Sequence, residues 1–262
     1  MQKLFHIPQE KWLLLRKIQG MDFIFLRRTG STNAFLLEKA ENERVGKVVW
    51  TAEQTKGKGM GTNMWESEPG MNLTFSMGLD LSFIKACDQF LLSQAVPLGL
   101  LDVLDEILPP EPLTVKWPND LYYGNRKLSG ILINSTVRGM DMGVSVVGVG
   151  LNVNQMQFRD WPTHPISMKM ILGQDVELEP LLQRLAEAVD RRVRQLRNSE
   201  GVEAIRTAYL SRLYRYQFWA DYEVAGQVVK RFITGIDSFG RLQTLDEAGR
   251  EYVSDLKEIR FI

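Results

Sequence analysis

The sequence predicts an α+β protein, a mixed β-sheet with flanking helices followed by a smaller unit of short strands. Three observations carry this expectation. Apolar runs with strand character recur between residues 45 and 149. One near-continuous apolar stretch, 88–108, is long enough for a core helix. After Tyr216 the composition shifts to short β-rich runs punctuated by glycine. A length of 262 residues leaves room for one large and one small domain, drawn here at 1–215 and 216–262.

Each element has its own reason. Phe35, Leu36, Leu37 and Ala40 form a helical pattern after Ser31-Thr32-Asn33, with Ser31 or Thr32 as the N-cap. Residues 45–52 read as a short buried strand. Residues 54–65 carry Gly57, Gly59, Gly61, Lys56 and Lys58 with no acid among them, which predicts a mobile basic loop. Residues 73–79 read as a strand. In the 88–108 helix, Pro97 is expected to kink the run or start a second segment. Strands at 113–117, 121–123 and 127–134 follow, the last two joined by a Gly124-Asn125 turn as a β-hairpin. Strict alternation along the return strand puts Lys127 with Ser129 and Ile131 and turns Gly130 to the other face. A strand at 144–149 comes next. Leu181, Leu185, Val189, Val193 and Leu196 then repeat at helical spacing, with Arg191, Arg192 and Arg194 on other faces, and a second helix covers 202–213. The final runs, 222–224, 228–234, 241–245 and 252–256, suggest a small antiparallel barrel.

Composition removes several functions. Lysine plus arginine total 32 against 32 acids, and this zero net charge gives no support for a nucleic-acid or membrane-surface protein. Cys87 is the single cysteine, so no internal disulfide forms and a reducing, cytoplasmic location is expected. With only His6 and His164 beside it, a Cys/His zinc site is close to excluded. A Ser-His-Asp triad would have to use one of those two histidines, one near the N-terminus and one in a turn-rich stretch. The apolar run at 12–15 is bounded by Lys11 and Arg16 and is too short for a signal-peptide core. The stretch 90–108 is interrupted by Ser93, Gln94, Pro97, Asp102, Asp105 and Glu106, so it is not a membrane span.

Three segments carry chemistry. Glycines interleaved with lysines at 54–65 let backbone N–H groups approach a phosphate while ammonium groups neutralise it. The spacing is neither that of a P-loop nor that of a dinucleotide fingerprint. Lys116-Trp117-Pro118-Asn119-Asp120 is followed across the hairpin by Arg126-Lys127-Leu128-Ser129-Gly130, where glycine permits close approach of a ligand. Gly148-Val149-Gly150-Leu151-Asn152 runs from a strand into a turn. Taken singly, the three admit plain readings as a surface loop, a solvated strand end and a strand terminus.

Together with Ser31-Thr32-Asn33, and in this order and spacing, they resemble the biotin–protein ligases over about residues 22–155. The Lys-Trp-Pro-Asn-Asp and Arg-Lys-Leu-x-Gly pair is the most specific match. The resemblance implies a class II synthetase-like mixed sheet and an SH3-like C-terminal β-barrel. It implies activation of biotin with MgATP to biotinyl-5′-AMP, then transfer of biotin to a lysine of a biotin carboxyl carrier domain. It further implies that Lys127 contacts the biotin carboxyl and the α-phosphate, and that Lys58, Gly57 and Gly59 close over the adenylate. Ser31, Thr32 and Gln54 fall at positions that hydrogen-bond the ureido ring, and Asn33 is implied as a further ligand-binding residue. Gly130 leaves room for that ring, Trp65 covers the nucleotide, and Asn119 and Asn152 lie on the ATP side. Asp120 is implied as a base or orienter for the incoming amine. No residue is implied as a metal ligand, Mg²⁺ entering with ATP.

Two departures stand out. The family loop reads Gly-Arg-Gly-Arg-x-Gly-x-x-Trp, whereas this chain has Gly57-Lys58-Gly59-Met60-Gly61-Thr62-Asn63-Met64-Trp65. Lys58 keeps a charge without arginine's planar fork, and Met60 replaces a cation. Only 30 residues precede Ser31, too few for the DNA-binding domain of repressor-type members, so neither a nucleic-acid nor a membrane partner is expected. A homodimer is compatible with the resemblance. Two other readings stay open at the level of sequence, a lipoate or octanoate transferase and a non-catalytic biotin-binding regulatory module.

Overall fold

The computed structural model describes residues 12–61, 63–159 and 164–262. Its large sheet is built from β1 (Trp12–Ile18), β2 (Met21–Thr29), β3 (Lys47–Gln54), β4 (Leu73–Asp80), β5 (Leu113–Lys116), β6 (Asp120–Tyr123), β7 (Arg126–Arg138) and β8 (Asp141–Leu151). Their order across the sheet is β1-β2-β3-β4-β8-β7-β6-β5. Only β2 and β3 run parallel among these neighbours, which makes the sheet mixed as expected.

Helices cover both faces. On one side lie α3 (Phe90–Ile107) and α5 (Leu178–Gln195), whose Leu92, Leu100, Leu185 and Val189 pack with Phe75, Met77 and Val147 of the sheet. On the other, Leu36 of α1 (Thr32–Leu37) closes a smaller core with Ile24, Leu26, Val49 and Val146. A strand buried on both faces loses the alternation that marks a half-buried one. Strand β2 is such a case, with Met21, Phe23, Ile24 and Leu26 all buried, and the sequence reading passed over it. The apolar run at 12–15 belongs to β1, which pairs with β2; His6 lies outside the described residues.

Pro97 sits inside α3 without ending it. Gly99, two residues on, lets α3 approach α5 so closely that a Cβ there would stand 2.6 Å from Val189 Cα. Arg192 is not simply a solvated face residue, for its guanidinium makes two 2.7 Å bonds to the Asp102 carboxylate. Short helices α2 (Glu41–Arg44) and α4 (Met168–Leu172) and the helix α6 (Ser199–Ser211), capped by Asn198, complete the layer set.

The C-terminal unit is a separate antiparallel sheet of β9 (Trp219–Val224), β10 (Gln227–Ile236), β11 (Leu242–Leu245), β12 (Glu251–Ser254) and β13 (Ile259–Phe261), in the order β12-β11-β10-β9-β13. It is fastened to the large sheet at the β5–β6 turn, where the indole N–H of Trp117 donates to Gly240 O at 2.8 Å. That turn also holds a cis bond between Trp117 and Pro118.

One local feature corrects the sequence reading. Asp120 pairs with Gly130 and Leu121 with Ser129, but Tyr122 pairs with Lys127, so Leu128 is an extra residue in β7. Such a β-bulge re-aims the side chains beside it. Leu128 drops into the core, and Lys127 comes to lie beside Gly130, which strict alternation puts on the opposite face.

Candidate active site

A cavity of about 550 Å³ opens on the sheet between the β3–β4 loop, the β5–β6 turn and the C-terminal unit. Its floor is backbone. Gly130 and Gly150 are direct partners across β7 and β8, with Gly148 beside them on β8. The absence of side chains at Gly130 and Gly150 leaves a shallow trough where a flat group can lie on the sheet.

One end of the trough is polar and uncharged. Ser31 caps α1, and the Thr32 N–H donates to Gln54 Oε1 at 2.9 Å. Ser76 Oγ, fully buried, donates to Thr32 Oγ1 at 2.7 Å. These groups are pre-organised donors and acceptors suited to an uncharged polar ring. Asn33 lines the same end, but its amide is committed to Leu132 O (3.2 Å) and Asn134 Oδ1 (3.0 Å), which pins α1 to the sheet.

The centre is charged. Lys127 Nζ stands 2.7 Å from Asp120 Oδ1, both sheltered but not sealed from solvent. Asn119 flanks them and donates to Ile131 O at 2.7 Å. Asp120 is the one carboxylate among the described residues lining the cavity, against Lys58, Lys116, Lys127, Lys257 and Arg260. This excess of cations suits an anionic ligand. Lys116 Nζ donates to Tyr122 Oη at 3.0 Å and lies 5.3 Å from the centroid of the Phe261 ring. Burial holds its pKa below the usual lysine range, and burial likewise pushes the Tyr122 phenol up.

The loop forms a small hairpin over the trough. Gly59 N–H donates to Asn63 O at 2.8 Å and Trp65 N–H to Gly57 O at 3.2 Å. Trp65 lays its indole on the glycine floor, where a Cβ on Gly150 would overlap it and one on Gly130 would stand 3.3 Å away. The indole Nε1 is buried and has no hydrogen-bond partner among the described residues.

The structure therefore brings together Ser31, Thr32, Asn33, Gln54, Lys58, Gly59, Trp65, Asn119, Asp120, Lys127 and Gly130. Two expected residues stand behind the wall. Gly57 is buried, a Cβ there overlapping Trp65 O, and so shapes the loop. Asn152 is also buried, its amide donating to Ile166 O at 3.1 Å and to Lys127 O at 3.5 Å, so it braces the lysine's backbone. Sequence reasoning missed Thr74, Phe75 and the C-terminal residues Leu256, Lys257, Ile259, Arg260 and Phe261. No local pattern marks the last group, which reaches the cavity only through docking of the second sheet. Among the described residues no three His, Cys, Asp or Glu side chains converge as a metal site. Mg²⁺ is taken to enter with the nucleotide substrate.

Comparison with known proteins shows the family. Residues 25–152 match the model of the "Biotin/lipoate A/B protein ligase family". The biotin–[acetyl-CoA-carboxylase] ligase of Paracoccus denitrificans is 32% identical over 245 residues, covering 87% of this chain and 96% of that protein. The chain belongs to the biotin/lipoate A/B protein ligase family. Another member, the chloroplastic biotin–protein ligase 1 of Arabidopsis thaliana, is 37% identical over 140 residues, and this ligase-family chain spans only 38% of its length. Against the human biotin–protein ligase the span is 35%. Among solved structures, the biotin protein ligase of Aquifex aeolicus in complex with biotin and ATP superposes with a TM-score of 0.72 at 22% identity, covering 90% of this chain and 97% of that one. The family fold thus includes the C-terminal β unit.

Proposed function

We propose that the chain is a biotin–protein ligase that activates biotin with MgATP to biotinyl-5′-AMP and transfers biotin to a lysine of a biotin carboxyl carrier domain. The observation that carries this reading is the Lys127–Asp120 pair at 2.7 Å, set between an uncharged polar end and a cationic loop. The Paracoccus relative, whose name states this activity, supports it.

Activation brings a carboxylate to the α-phosphorus of ATP. An oxygen–phosphorus bond forms, the bond to the β-phosphate oxygen breaks, and pyrophosphate leaves with the electron pair. Both reactants are anions, so cationic donors are needed to hold them together and to stabilise charge in the transition state. Lys127 supplies the central ammonium. Lys58 and the loop N–H groups flank the phosphate, and Ser31, Thr32 and Gln54 hold the ureido ring. Trp65 withdraws water from the mixed anhydride, which would otherwise hydrolyse.

Transfer then needs a neutral amine. Once Lys127 grips the adenylate phosphate, Asp120 is released from its ion pair and accepts a proton from the incoming ammonium. The amine attacks the acyl carbon and AMP departs. Lys127, Lys58 and Asp120 act as catalytic residues in this scheme, Lys58 by clamping the phosphate.

The segment 216–262 is read as a separate domain that closes one side of the cavity. A cytoplasmic location accords with the free, exposed Cys87, and no described helix is long and apolar enough to cross a membrane. Incubating the protein with biotin, MgATP and a carrier domain, then probing with labelled avidin, tests the proposal. ATP-dependent labelling of one carrier lysine is expected. Labelling with lipoate or octanoate instead, or binding of biotin without pyrophosphate exchange, would replace this reading by one of its rivals.

A further inference from the structure

Arg126 adjoins Lys127 in the sequence but does not line the cavity. It is half-buried and has no acidic partner among the described residues; its guanidinium donates instead to Pro165 O at 2.7 Å. The surroundings of that carbonyl show what the bond holds in place.

The β7–β8 ladder ends at the pair Ser129 and Leu151, so Arg126, Lys127 and Leu128 lie beyond it. Backbone groups at a bulge outside a ladder need other partners. Residues 165–167 and Asn152 provide them. Ile166 N–H donates to Lys127 O at 2.9 Å and Asn152 N–H to Leu128 O at 3.0 Å. The Asn152 amide ties the two segments together, reaching Ile166 O at 3.1 Å and Lys127 O at 3.5 Å. Residues 165–167 thus form a strap along the bulge, anchored at both ends. At one end Arg126 grips Pro165 O. At the other, Ser167 is fully buried and its hydroxyl caps α4 by accepting from Met170 N–H at 3.2 Å.

We infer that Arg126 is a positioning residue for adenylate formation: by holding Pro165 it fixes the strap against the Lys127 carbonyl and so aims the Lys127 ammonium at the reacting phosphate. The inference rests on the ligase reading above. The Lys127 ammonium sits at the end of a flexible stem, and the strap fixes the backbone from which that stem starts. Displacing a reacting group by about 1 Å can cost on the order of 100-fold in rate. Arg126 acts on the reaction through Lys127, from behind the wall of the cavity.

Arg126→Gln removes the guanidinium and is too short to reach Pro165 O. Because Asn152 still holds the other side of the bulge, the kcat for pyrophosphate exchange should fall by less than a full displacement would cause, on the order of tenfold. The KM values for biotin and MgATP should stay the same, and Arg126→Lys, which keeps a cationic donor, should recover part of the rate. In a Lys127→Ala background Arg126→Gln should cost nothing further, since a residue that works through another is silent once the other is gone. A further tenfold loss in that background would overturn the inference, and so would a rise in either KM at constant kcat. A lowered thermal midpoint accompanied by additive losses would likewise reduce Arg126 to a structural contact. Brief acetylation of the folded protein with acetic anhydride, read at Lys127 by mass spectrometry, tests the same point without turnover. Lys127 should become more reactive in Arg126→Gln relative to the exposed lysines, and unchanged reactivity would overturn the inference. If the unaltered chain exchanges no pyrophosphate, the ligase reading fails, and a changed Lys127 reactivity still supports the positioning.

Discussion

Lys127 and Asp120 hold each other at 2.7 Å from adjoining strands, one reached through the bulge at Leu128 and the other at the end of the Trp117–Pro118 turn. A carboxylate held by an ammonium is a poor base, and an ammonium held by a carboxylate is a weaker clamp. Binding an anion to Lys127 frees both. On the proposed ligase reading, the pair orders the two half-reactions.

Removing the cation should stop the first of them. Lys127→Ala is expected to lower adenylate formation on the order of 100- to 1000-fold, the usual consequence of deleting one transition-state donor. Pyrophosphate exchange measures it, with circular dichroism to check that the fold survives.

Removing the carboxylate should act later. Asp120→Asn keeps the volume and leaves Lys127 free, so adenylate should still form. Transfer to the carrier should slow on the order of 100-fold or more if Asp120 takes the proton. Single-turnover transfer from preformed adenylate reads this directly, and equal loss in both steps would reduce Asp120 to a prop for Lys127.

Met60 lines the cavity but cannot donate to a phosphate. Met60→Arg should hold the loop over the adenylate for longer, because a ligand contact made only in the closed state raises that state's population. Slower escape of free biotinyl-adenylate, trapped during a single turnover, is the expected result. Unchanged escape would show that the loop's N–H groups and Lys58 already suffice.

Packing of the helical layer gives a stability test. Alanine normally favours a helix over glycine, yet Gly99→Ala would drive its Cβ to 2.6 Å from Val189 Cα. Overpacking of this kind costs about 1–3 kcal/mol. A rise in the urea midpoint would show that α3 and α5 separate more easily than their contact suggests.

Asp246 supplies a pH dependence. Bonds from the Arg250 N–H, the Arg250 guanidinium, the Tyr252 hydroxyl and the Ala248 N–H hold its carboxyl down at about 2. Its ordinary value is 3.8, so the folded state binds this proton less readily than the unfolded one. The resulting stabilisation is complete above pH 4 and fades as pH falls toward 2. Urea unfolding of the C-terminal unit, followed by Trp219 fluorescence, should lose stability across that window. Asp246→Asn should lack this component.

Much of this site was legible because its motifs are local. Lys116 to Asp120, Lys127 to Gly130 and the glycine loop each occupy one short stretch, and the hairpin that joins two of them has its own turn signal. The face on which Lys127 lies was not legible. One bulged residue reverses it, and nothing in Arg126-Lys127-Leu128-Ser129 announces a bulge. Strand β2 was missed because burial on both faces erases period-two alternation. Lys257 and Phe261 were missed for a third reason: their place at the cavity depends on how a second sheet docks, which no window of sequence contains. Asn152, singled out by its motif, has its side chain behind the wall.

The trough's floor of Gly130, Gly148 and Gly150 also limits how its ligand range can be altered. Enlarging a pocket ordinarily means trimming a side chain, and at these three positions there is none left to trim. Over the glycines, a bulkier ligand would be admitted from above, by reshaping Trp65 or its loop, or from the ends, at Gln54 or the C-terminal turn at Lys257. A larger residue at Gly130 or Gly150 raises the floor by at least a methyl group toward the indole, and one at Gly148 runs into the Asn33 amide. Above the glycines, the covering elements set the height of the trough, while the backbone beneath sets a fixed depth.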